Sequence, residues 1–101
     1  MEKAQLLENG FVERTYEGQP GVFLVKEGVV EHFPYAKEHI VGDPDIYGDS
    51  NALMEILPSG HIQFFIPYAE YVEGPWPLES DEGQGLLKDA LAAKVTPKLS
   101  L

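Results

Sequence analysis

The stretch LMEILPSGHIQFFI, residues 53–66, decides the fold. Pro58 presets the φ angle for the second position of a type I turn, and Gly60 supplies the left-handed residue that follows it. Together they predict a hairpin closed by the loop Pro58-Ser59-Gly60, with a bulge at Gly60. The register follows from the loop. Leu57 faces His61, Ile56 faces Ile62, Glu55 faces Gln63, Met54 faces Phe64 and Leu53 faces Phe65. One face then gathers Met54, Ile56, Ile62, Phe64 and Ile66. The other mixes Glu55, His61 and Gln63 with Leu53, Leu57 and Phe65. An apolar face backed by a mixed one is the pattern of an antiparallel sheet with a single buried side, and a one-residue slip would mix both faces. Leu53 and Phe65 on the outer face require cover from a helix or a partner; left uncovered, they favour a homodimer through the sheet.

Upstream of the hairpin, residues 2–9 read as a short helix with Leu6 and Leu7 on its apolar edge, ended by Gly10. Residues 11–17 read as a strand, Gly18-Gln19-Pro20-Gly21 as a turn, and the β-branched and aromatic residues 22–26 as a second strand. Glu27-Gly28 is expected to turn tightly into a third strand, residues 29–33, ended by Pro34. Residues 35–40 read as a helical turn or loop. Downstream, residues 68–78 carry Tyr71, Trp76 and two prolines in GPWP, which reads as a rigid loop. Ser80 is a natural helix N-cap, and Asp81 and Glu82 complement the dipole of the first turn. Leu86, Leu87, Ala90, Leu91 and Lys94 follow at helical spacing. Gly83 and Gly85 each weaken that helix by up to ~1 kcal/mol relative to Ala.

These elements predict an α+β domain over residues 1–95, with a mobile tail over residues 96–101. A small antiparallel sheet of four or five strands, a meander plus the hairpin 53–66, carries an N-terminal and a C-terminal helix on one face. A chain of 101 residues fits one such domain. It contains no cysteine, which excludes disulfides, thiolate metal sites and a cysteine nucleophile. The stretch MEKAQLLENG has no secretory pattern and no segment approaches the ~20 apolar residues that span a bilayer, so a soluble, cytoplasmic protein without membrane contact is expected.

Charge is distributed unevenly. The chain has 17 Asp and Glu against 7 Lys and Arg. Between Lys37 and Lys88 there is no Lys or Arg, and ten carboxylates fall there: Glu38, Asp43, Asp45, Asp49, Glu55, Glu70, Glu73, Glu79, Asp81 and Glu82. The formal charge of −10 therefore resides in one half of the chain. Such a surface would repel phosphates, which argues against direct nucleic-acid binding. It suits either solubility or a partner protein with a basic surface.

Within that half, VGDPDIYGDSN spaces its carboxylates like a Ca²⁺ loop. Counted from Asp43, Asp45, Gly48, Asp49 and Asn51 fall at positions 3, 6, 7 and 9 of the EF-hand pattern. Tyr47 at position 5 is a poor ligand, Met54 stands where the bidentate Glu belongs, and Glu55 comes one residue late. An acidic turn, fixed by Asp and Asn side chains on the backbone, is the first expectation. A metal or small-ligand domain using Asp43, Asp45 and Asp49 is the alternative.

No G-x-S-x-G elbow, P-loop or dinucleotide fingerprint occurs, and a single arginine provides no phosphate clamp. His32 and His39 do not share a helix face. The sequence thus predicts a non-enzymatic protein without a cofactor. Tyr and Trp are frequent anchors at interfaces, and the partner-binding residues expected are Tyr47, Glu70, Tyr71, Glu73 and Trp76. A sharper form of this expectation has the residues around 43–55 and 70–82 present carboxylates in place of phosphates to a basic partner.

Overall fold

The computed structural model describes residues 3–33 and 49–93. Helix α1 (Lys3–Glu8) leads into a five-stranded antiparallel meander: β1 (Val12–Tyr16), β2 (Gln19–Val29), β3 (Asn51–Ile56), β4 (His61–Ile66) and β5 (Tyr71–Pro77). Helix α2 (Asp81–Ala92) follows. The fold is therefore the α+β arrangement that the hairpin predicts, with five strands and a helix at each end.

The hairpin has the expected register, with Leu53↔Phe65, Met54↔Phe64, Glu55↔Gln63 and Ile56↔Ile62 as direct partners. Gly60 takes φ +85° and its N–H donates to the Leu57 carbonyl at 3.0 Å. The predicted apolar face, Met54, Ile56, Ile62, Phe64 and Ile66, is buried and shares one core with Leu6, Phe11, Phe33, Leu86, Leu87 and Ala90. Both helices thus contribute to the same inner face. Phe33 and Phe64 meet edge to face with ring centroids 5.6 Å apart.

Four local expectations are corrected. Glu27-Gly28 is not a turn. The second strand runs on through Val29, because Glu27, Gly28 and Val29 pair with Leu53, Ala52 and Asn51 of β3. Val30–His32 is a 3-10 turn, not strand. The turn between β1 and β2 is shorter than the glycine-proline cluster suggests, since Tyr16 pairs directly with Gln19 and Gly18 supplies the positive φ.

The GPWP segment is not a loop either. After a 3-10 turn (Pro67–Ala69), Tyr71–Pro77 forms β5 on the free edge of the sheet, where a residue without an N–H can face outward. The ladder to β4 is irregular between Ile62 and Phe64 and resumes at Ile62↔Trp76. Gly74 is required there: a Cβ on it would lie 2.9 Å from the Ile62 carbonyl oxygen.

Helix ends explain how α1 and α2 stay seated. Gly10 at φ +95° closes α1, with Gly10 N–H on the Leu7 carbonyl at 3.3 Å and Phe11 N–H on the Leu6 carbonyl at 3.1 Å. This is a Schellman closure, and it brings buried Leu6 and Phe11 together. In α2, Ser80 caps as expected, its Oγ accepting from Gly83 N–H at 3.0 Å. The last turn of α2 contains no basic residue. A strand supplies the cation: Lys26 on β2, only 3% exposed, donates from Nζ to the Ala90 carbonyl at 2.6 Å and the Ala93 carbonyl at 2.8 Å. The ammonium thus meets the negative end of the helix dipole and satisfies two terminal carbonyls.

Candidate functional site

The expected site residues divide by position. Asp43, Asp45 and Tyr47 lie outside the described residues, as does the tail over residues 96–101. Asp49 is exposed beside the start of β3. Glu70 is exposed at φ +51° just before β5. Tyr71, Glu73 and Trp76 come together on β5. The Tyr71 hydroxyl donates to Glu73 Oε2 at 3.1 Å, and Trp76 Nε1 donates to Glu73 Oε1 at 3.4 Å. Both rings also pack against the core, so they close the edge of the sheet as well as showing part of their surface. Among the described residues no group of three or more His, Cys, Asp or Glu could hold a metal ion.

The outer face of the sheet holds a second cluster that pattern reading does not single out. Cross-strand partners place Val12, Val25, Glu55 and Gln63 in one row. Glu55 is only 6% exposed, although the described helices pack on the opposite face. Its carboxylate accepts from the Tyr16 hydroxyl at 2.6 Å and from Gln63 Nε2 at 2.8 Å. Two donors are what a buried carboxylate needs, since burying an unpaired charge is costly. Burial, and the hydrogen bond and charge of Glu55, raise the pKa of the Tyr16 hydroxyl above its ordinary value.

Long side chains roof the middle of this face. Arg14 stands opposite Phe23 yet pairs with Glu27 at 3.2 Å, so the ion pair passes over Val25, which is fully buried. The Tyr16 ring meets Phe23 edge to face at 4.9 Å on its way to Glu55. Nearer one end of the sheet this roof of described side chains stops. The next row across the outer face is Glu27, Leu53, Phe65 and Val72. Leu53 and Phe65 are half-buried, and Val72 is 46% exposed.

Electrostatically, the described cations are nearly all committed. Lys3 pairs with Glu13 at 2.9 Å, Arg14 pairs with Glu27, and Lys26 is spent on α2; Lys88 alone is exposed without an ion pair among the described residues. Of the acidic half, Glu55 and Glu73 are engaged by neighbours. Asp49, Glu70, Glu79, Asp81 and Glu82 are exposed and form no ion pair with a described residue. They occupy two ends of the sheet. Asp49 and Glu70 sit where β3 starts and β4 ends, and Glu79, Asp81 and Glu82 follow the far end of β5, roughly 20 Å away.

No family model, curated protein or solved structure matches the chain. No helix among the described residues is long and apolar enough to cross a membrane.

Proposed function

We propose that this chain is a small non-enzymatic binding domain that engages a protein partner through a basic surface on that partner. The observation that carries this reading is the imbalance of pairing. Among the described residues, three of the four cations are engaged by groups of the same chain, whereas eight carboxylates, five of them in the acidic half, are exposed without an ion pair. Solubility alone does not require the chain's own cations to be paired. A surface of this kind steers a basic partner on approach and rejects phosphates.

The phosphate-mimicking form of the reading gains less support. It needs carboxylates in a continuous array, and Glu55 and Glu73 are turned toward Tyr16, Gln63, Tyr71 and Trp76. Docking of apolar and basic groups together fits the partly exposed aromatic and aliphatic side chains better.

Affinity capture from a native lysate tests the reading, with washes at about 0.1 M and about 1 M salt, where the Debye length falls from ~10 Å to ~3 Å. The expected result is recovery of a basic protein that the high-salt wash releases. Recovery only of acidic proteins, or retention indifferent to salt, contradicts it.

A further inference from the structure

We propose that the open end of the outer sheet face, the row Leu53, Phe65 and Val72, is where a cationic amphipathic helix of the partner docks. This deepens the protein-binding reading above and rests on it. The row comes from the strand register alone: Leu53 opposes Phe65, and Phe65 opposes Val72. It crosses β3, β4 and β5, so its width is two strand spacings, about 10 Å, which matches the diameter of a helix. The inner face of the same strands is already packed by α2, and a sheet with apolar residues on its second face is completed by a second helical layer. Tyr68, 83% exposed in the turn between β4 and β5, adds an aromatic side chain at the same end.

Charge decides the occupant. Asp49, just before β3, and Glu70, just before β5, flank this end of the sheet and are exposed. Glu27 closes the row on the β2 side, with Arg14 already bound to it. The cations on β1 and β2 beside this row, Arg14 and Lys26, are both engaged within the chain. An apolar strip with an acidic rim is complementary to a helix that carries leucine-like residues along one stripe and Lys or Arg beside it. A second copy of the chain is a poor occupant, because each copy carries a formal charge of −10.

The test uses a synthetic peptide of about 14 residues, built of leucine and lysine with the leucines on one helical stripe, and a scrambled peptide of equal composition. Both are titrated into the isotopically labelled full chain and followed by NMR at about 0.1 M salt. The expected result is shifts at Leu53, Phe65, Tyr68 and Val72, with the striped peptide binding at least about tenfold tighter than the scrambled one. Val72→Lys is expected to weaken the striped peptide about tenfold or more, and Tyr68→Ala to weaken it less; both positions are exposed, so the fold is retained. Shifts confined to Glu79–Glu82 and α2, or full affinity in Val72→Lys, overturn the docking surface while leaving the protein-binding reading intact. Absence of binding by both peptides overturns the docking surface, and the protein-binding reading is then decided by the lysate capture. Concentration-dependent dimerisation that Val72→Lys abolishes would assign the face to a second copy instead.

Discussion

The Tyr16 hydroxyl donates to the Glu55 carboxylate at 2.6 Å, across 39 positions of sequence and two strand boundaries. This contact ties β1 to the centre of the sheet from the outer side, while the core holds the sheet from the inner side. It is also a hydrogen bond to a charged, buried acceptor, the class worth about 1.5–3 kcal/mol.

Tyr16→Phe is therefore expected to destabilise the chain by about 1–3 kcal/mol in urea unfolding, and the combined Tyr16→Phe, Glu55→Gln variant by less than the sum of the two single changes. Equal additivity would mean that the two side chains do not act on one another. The raised pKa of Tyr16 also gives a pH signature. The folded state holds this proton more tightly than the unfolded one. Its contribution is thus complete below pH about 10, and is lost as pH climbs through the folded value. Tyr16→Phe should flatten that alkaline loss.

Lys26 has the opposite sign. Burial lowers its pKa below 10.5. Between the folded value and the unfolded one the unfolded chain binds the extra proton, so this group makes stability rise with pH in that window. Brief treatment with an acylating reagent, read by mass spectrometry, should modify Lys3 and Lys88 and spare Lys26. Lys26→Met leaves the Ala90 and Ala93 carbonyls without their donor and should cost about 1–3 kcal/mol. Labelling of Lys26 at the rate of Lys88 would rule out the cap.

Two glycines in the first half of α2 should behave differently. A Cβ on Gly83 would overlap the Pro77 carbonyl oxygen, whereas Gly85 has open space around it. Gly85→Ala is expected to stabilise by about 0.4–1 kcal/mol. Gly83→Ala should destabilise by about 1–3 kcal/mol, as overpacking does. Thermal or urea melts of the pair decide the matter, and a matching gain in both would mean that Pro77 does not press on the helix.

What could be read from sequence was what local chemistry specifies. Pro58 and Gly60 dictate one turn, the turn dictates the register, and the register sorts the faces. Ser80 and Gly10 mark helix ends for equally local reasons. Residues governed by distant neighbours were not legible in the same way. Gly28 resembles a turn residue until Ala52 is placed opposite it. Pro75 and Pro77 suggest a loop unless β5 is known to be an edge strand. Lys26 and Glu55 look like surface charges in a strand pattern; their burial depends on the end of α2 and on Tyr16, both far off in the chain. Of the expected site, Tyr71, Glu73 and Trp76 do converge, but the outer-face row Leu53, Phe65 and Val72 becomes visible only once β5 is added to the hairpin.

The central claim is that carboxylates left unpaired by the fold drive association with a basic partner. Its most direct test replaces Asp49, Glu70, Glu79, Asp81 and Glu82 together by Asn or Gln, which removes charge and preserves shape. Affinity for the striped leucine-lysine peptide is then compared with that of the unaltered chain at about 0.1 M salt. The account predicts a loss of at least about tenfold, with a shallower dependence on salt. Unchanged affinity and unchanged salt dependence would contradict it.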